Sequence, residues 1–184
     1  YPVVELDNRG AARALTQHLL DLNLKRLAVI TGPARSPIVR DRLAGMKDAL
    51  LGAGLTLDAQ AVVQGDFSMQ SGHDAAERLL QLPERAQAIF CMNDEMAIGA
   101  MRCLRQRGLR IPQDIAIAGF DNIEFAAYTE PSLTTIDQPA EQLGRQAMRA
   151  LYQLMKGVPL AQQHMMLSYR LVVRDSTAII TDKK

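Results

Sequence analysis

Short apolar runs alternate with longer segments of helical period along most of the chain, and that alternation constrains the fold more than any other feature. Val3–Leu6, Leu27–Thr31, Ala61–Gly65, Ala88–Met92 and Ile115–Phe120 read as strands. Between them, Arg9–Leu22, Arg40–Ala53, Ser68–Leu82 and Asp94–Arg107 carry helical spacing. Strands without polar interruptions, each separated from the next by a helix, predict an α/β fold. Its parallel sheet has helices on both faces and right-handed crossovers.

Local punctuation agrees with this layout. Asp7 or Asn8 is placed to cap the first helix and Ser68 the third. Gly54 and Gly108 end helices, and Asn23 stands where a left-handed residue is wanted. After Phe120 the rhythm breaks. Thr134–Gln138 is extended, Pro139–Lys156 is a helix with proline in its first turn, and Met165–Arg174 reads as one final strand before a polar tail from Thr181. Ala140, Leu143, Ala147, Leu151 and Leu154 form one apolar stripe on that last helix, as expected of a helix crossing to a second lobe.

Composition narrows the function. Of the 184 residues, 48% are apolar and 22% charged, which suits a globular domain, and the net charge of +1 lacks the positive field of a free-standing nucleic-acid binder. Only Cys91 and Cys103 occur, with no disulfide framework, which fits a reducing cytoplasm. No apolar run approaches the roughly 18 residues of a membrane span, and no leader is visible. The chain opens on Tyr1-Pro2-Val3-Val4 without Met, as if inside or just before a strand.

Ligands of open α/β sheets bind outside the carboxyl ends of the strands. There the chain offers Asp7-Asn8, the Gly32–Arg40 loop, Asp66-Phe67, Asn93-Asp94, Asp121-Asn122 and finally Gln138. Carboxylates, amides, a planar guanidinium and one aromatic ring at a shared edge suit a small polar molecule. Taken singly, Asp7, Asn93 and Asp121 are equally good caps, Phe67 a core residue and Arg40 a surface residue. Nucleotide-loop, dinucleotide and nucleophile-elbow motifs are missing, and His18, His73 and His164 lie far apart. No catalytic residue, metal or cofactor is therefore expected. Arg102, Arg105, Arg107 and Arg110 cluster at a helix end, where they complement its dipole.

Several stretches, in order, resemble the effector-binding domain of the LacI/GalR family. They are Asp7–Ala11, Leu27–Pro33 followed by Arg42–Gly45, Cys91–Gly99, Ile111–Asp114, Gly119-Phe120-Asp121-Asn122 and Pro131–Pro139. Asn23-Leu24 replaces the family's usual Gly-His, and Arg35 and Pro37 make the Gly32–Arg40 loop unusual. The resemblance implies a periplasmic binding protein type I-like fold, with the C-terminal lobe at 9–135 and about 163–178. Crossover segments and a helix of the N-terminal lobe would occupy 1–8 and 136–158. It implies effector contacts from Ser36, Arg40, Phe67, Asn93, Asp121 and Gln138, with Phe67 stacking on the ligand. Gly65–Ser68, Phe90-Cys91 and Gly119–Glu124 resemble the cytidine repressor group, so the implied effector is a sugar or a nucleoside. The family further implies a cytoplasmic homodimer built near Ser68–Gly72, Met96–Met101 and Glu124–Tyr128. Met69, Met96, Met101, Phe125 and Tyr128 would make that surface apolar, or else are ordinary core residues. Operator DNA would be met only through an N-terminal head absent from this chain, with no membrane contact. A periplasmic-type sugar-binding protein without a DNA role shares the fold and is the alternative. A nucleoside-processing enzyme is a third reading, weakened by the missing acid–base constellation.

Overall fold

A computed structural model describes residues 2–178, so the tail from Thr181 lies outside the described residues. The central sheet has four parallel strands in the order β3 (Val62–Gln64), β2 (Leu27–Thr31), β4 (Ala88–Cys91), β5 (Ala116–Ala118). β2, β4 and β5 are buried along their whole length, as strands covered on both faces must be, while β3 at the edge is half-exposed. On one side α1 (Asn8–Asp21) packs along α2 (Pro37–Gly52); a second pair joins α3 (Met69–Leu79) to α4 (Asp94–Gln106). With this strand order, right-handed crossovers place the two pairs on opposite faces.

The predicted caps form. Asp7 Oδ1 accepts from Gly10 N at 2.8 Å, and Ser68 Oγ accepts from Ser71 N at 3.1 Å. Asn23 takes φ 62°, so an asparagine fills the left-handed position at the end of α1. Helix α2 starts at Pro37 rather than Arg40, because Pro37 sits in the first turn, where its fixed φ favours a helix and its missing N–H is harmless.

Beyond β5 the chain leaves the main sheet. β6 (Thr135–Asp137) runs beside the continuation of β5, touching it through parallel bridges at Ala118–Thr134 and Asp121–Asp137. Helix α5 (Ala140–Met155) follows. The segment expected as one strand over Met165–Arg174 is two, since its halves find different partners. β7 (His164–Leu167) pairs parallel with β1 (Val3–Leu6), and β8 (Arg170–Val172) pairs antiparallel with β6. Residues 164–167 thus pair with β1, and β8 brings the chain back beside β6. A final turn at Asp175–Thr177 docks on the sheet, where Ser176 Oγ donates to Ile117 O at 2.7 Å and accepts from Thr134 N at 2.8 Å.

α5 packs on β1, yet of its residues only Ala150 is buried. The stripe predicted on this helix is therefore largely open: Leu151 and Leu154 are exposed, as are Met148, Tyr152 and Met155 beside them. Among the described residues, no helix is long and apolar enough to cross a membrane.

The two helix pairs approach closely because glycines sit at their crossings. A Cβ on Gly72 would collide with the carbonyl oxygen of Met96, and one on Gly99 with that of Met69. Gly144 in α5 has open space around it. Gly99→Ala should therefore destabilise the chain by about 1–3 kcal/mol through overpacking. Gly144→Ala should stabilise it by about 0.5–1 kcal/mol through helix propensity. Urea unfolding of both variants checks the pair; equal shifts of the same sign would contradict this packing.

Candidate functional site

The carboxyl edge of the sheet gathers polar groups around one buried guanidinium, that of Arg42. Its side chain is 5% exposed. Arg42 Nε donates to Asn8 Oδ1 at 2.9 Å, and Nη1 donates to the Met92 carbonyl oxygen. Nη2 lies 3.6 Å from Asp121 Oδ1, and the guanidinium stands over the Phe120 ring, 3.5 Å from its centroid. Its partners come from the start of α1, the end of β4 and the turn after β5. Burial lowers its pKa to about 10, against the opposing pull of Asp121 and Asp94, so it stays charged at neutral pH.

Asp121 faces this group from a turn with φ 120°, followed by Asn122 at φ 56°. Gln138 Nε2 donates to Asp121 Oδ1, the same oxygen that faces Arg42. Burial pushes the Asp121 carboxyl up to about 6; the Arg42 charge opposes this, and the like charges of Asp94 and Glu95 add to it. Asp94 is itself buried, and its desolvation raises its pKa. Its oxygens accept from Thr135 Oγ1 at 2.6 Å and Ile123 N at 2.9 Å, which anchors the turn.

Of the six residues singled out from the sequence, the structure draws Asp121 and Gln138 into direct contact. Phe67 takes φ 73° and lays its ring against Gly32, where any Cβ would collide with it. Asn93 does two structural jobs: Nδ2 donates to Phe67 O at 2.8 Å, holding that left-handed residue, while Oδ1 caps α4 by accepting from Met96 N at 3.0 Å. Ser36 is half-buried at the start of α2 and makes no side-chain capping bond. The Arg40 side chain is 75% exposed and meets the neighbouring Asp41, whereas Arg42 is the arginine brought to Asp121.

The signal for Arg42 was present in the spacing. Val39, Arg42, Gly45, Met46 and Ala49 are the buried face of α2, and an arginine inside such a stripe is rare unless paired. Asn8 was legible as a helix start but not as an acceptor for that arginine. Of the five residues open to a surface or a core reading, Met96 and Met101 are core and Met69, Phe125 and Tyr128 are exposed. Two of the clustered arginines are ion-paired, Arg107 with Glu77 and Arg110 with Asp114.

Known proteins resemble this arrangement over almost its whole length. Residues 16–177 match the family model of the periplasmic binding protein-like domain. The chain belongs to that family, in the form that LacI/GalR-type regulators carry as their effector-binding domain. It is 38% identical over 176 residues to the HTH-type transcriptional repressor CytR of Escherichia coli (strain K12), covering 96% of this chain and 52% of that protein. It is 42% identical over 161 residues to the ribose operon repressor of the same strain, covering 88% of this chain and 49% of the repressor. Among solved structures, a transcriptional regulator CelR–cellobiose complex superposes with a TM-score of 0.90 at 36% identity, covering 94% of this chain and 53% of that one. The chain thus spans about half the length of the curated relatives it matches.

The raised Asp121 pKa has a signed consequence for stability. The folded chain holds this proton up to about pH 6, whereas an unperturbed carboxyl releases it near 3.8. Stability contributed by the group is therefore present at low pH and lost as pH rises from about 4 to about 6. Relative to Asp121→Asn, the parent chain should lose about 2–3 kcal/mol across that window. Urea unfolding at several pH values measures the difference, and a flat difference would show an ordinary carboxyl.

Proposed function

We propose that the chain is the effector-sensing part of a bacterial DNA-binding transcriptional regulator, a repressor. It binds a small polar ligand, a sugar or a nucleoside, in a cleft at the carboxyl edge of the sheet. The observation that carries this reading is the buried Arg42 set against Asp121, which Gln138 also meets. A guanidinium fork beside a carboxylate complements the donor and acceptor pattern of vicinal hydroxyls. Phe67 and Gly32 supply an apolar wall, on which a sugar face or a base can stack. The names of the relatives, a ribose operon repressor and a regulator solved with cellobiose, support a sugar or sugar-containing effector.

In this reading the crossover segments end at Asp7, near Gln138 and at Ser168, and β1, β7 and α5 belong to a second lobe. Ligand bound between the lobes favours one arrangement by its higher affinity for it, and that changes operator affinity. DNA is contacted by another part of the regulator, as the HTH-type name of a relative suggests. The protein works as a homodimer through the surface of Met69, Phe125 and Tyr128, the last two 66% and 79% exposed. Light scattering should give twice the chain mass at high concentration, and Phe125→Glu should return it to one; a parent chain that stays monomeric throughout would refute the dimer.

Titration calorimetry with ribose, cellobiose and cytidine tests the site. Arg42→Met and Asp121→Ala should each weaken the binding of any ligand taken up by at least about tenfold, the effect expected when a buried charged partner is lost. Arg40→Ala should leave it unchanged. Affinity should also fall as pH drops below about 6, where Asp121 takes up its proton. Equal effects of the two arginine variants would overturn the assignment of Arg42.

A further inference from the structure

The turn that presents Asp121 is held from behind by a second set of polar contacts. Two consecutive non-glycine residues, Asp121 and Asn122, have positive φ, a conformation that persists only where its surroundings over-determine it. Here each backbone N–H in succession is claimed. Asp121 N donates to Ile136 O at 2.9 Å, Asn122 N to Thr135 Oγ1 at 3.3 Å, and Ile123 N to Asp94 Oδ2 at 2.9 Å. The Asn122 side chain adds both of its ends. Nδ2 donates to Asp137 Oδ1 at 3.0 Å, while Oδ1 accepts from Arg174 Nη2 at 2.7 Å.

That amide has a single satisfactory orientation. Turned over, its NH2 would face a guanidinium and its oxygen a carboxylate. The charges on either side are themselves fixed. Arg174 Nη1 donates to Leu133 O at 2.7 Å, and Arg170 Nη2 donates to Asp137 Oδ2 at 2.8 Å. Asn122 with Arg170 hold the Asp137 carboxyl below the usual range, so the clamp is charged across neutral pH. Its arginines come from β8 and the residues after it, and its carboxylate from β6, one position before Gln138.

We propose that Asn122 and Arg174 are positioning residues for effector recognition: Arg174 locks the Asn122 amide between itself and Asp137, and the locked turn aims the Asp121 carboxylate at Arg42 and Gln138. The clamp joins the β6 and β8 segments to the ligand edge, so a change in how those segments run is felt at Asp121. This rests on the reading of Asp121 as a ligand contact, but its first test needs no ligand.

The test follows the Asp121 carboxyl by 13C NMR titration in the unliganded 184-residue chain. The parent should titrate near 6, because burial, Asp94 and Glu95 outweigh Arg42. Asn122→Gly keeps the left-handed backbone but removes both clamp bonds, and Arg174→Met removes one of them. In both variants the carboxyl should swing toward solvent and its midpoint fall by about one pH unit or more. Arg174→Lys should fall between Arg174→Met and the parent, and the double variant should shift no further than Asn122→Gly alone. Affinity for the sugar or nucleoside bound by the parent should drop about tenfold in Asn122→Gly. Should Arg174→Met fail to fold by circular dichroism, Asn122→Gly and Arg174→Lys decide. An unmoved midpoint in Asn122→Gly overturns the positioning role even if its melting temperature falls. A moved midpoint in a chain that binds none of the ligands upholds the role and refutes the effector reading instead.

Discussion

The carboxyl edge of this sheet is organised by the burial of Arg42. A guanidinium that far from water persists only with partners for its charge and its donors. It obtains them from Asn8, Met92, Phe120 and Asp121. Because those residues arrive from α1, β4 and the turn after β5, satisfying one side chain brings three separate parts of the chain to one point. Asp121's own burial lifts its carboxyl pKa against the pull of the Arg42 charge, so this edge sacrifices some stability at neutral pH.

The support behind the edge is polar as well. Asp94 is fully buried and spends its two oxygens on Thr135 and Ile123, fixing the strand that carries Gln138 to the turn that carries Asp121. Gly119 is required beside it, since a Cβ there would collide with Asp94 Oδ1. Among the described residues, no buried side-chain nitrogen or oxygen lacks a hydrogen-bond partner. Such fully satisfied networks hold one geometry firmly. The exposed apolar side chains of α5 contrast with this finished edge.

Much of the scaffold was legible because it depends on local pattern. The buried strands, the Asp7 and Ser68 caps and the left-handed Asn23 follow from residue type and spacing alone. What was lost depended on register and on partners. Reading α2 from Arg40 instead of Pro37 hid the fact that Arg42 shares its buried face with Val39 and Met46. The break at Ser168-Tyr169 had no local mark; it exists because β7 and β8 pair with different strands. Met96 and Met101 are core residues, Met96 at the close crossing of α3 and α4, and residue type alone did not separate core from surface there. Asn93 is a real strand-end polar residue, but both ends of its amide are engaged within the protein.

The most direct measurement is an amide and side-chain NMR map of the chain titrated with a ligand it binds. Shifts should concentrate on Asn8, Gly32, Phe67, Asp121 and Gln138, with the Arg42 Nε–H signal among the largest, and Arg40 should stay still. Shifts confined to other surfaces, such as the exposed side of α5, with Arg42 unmoved, would contradict the account.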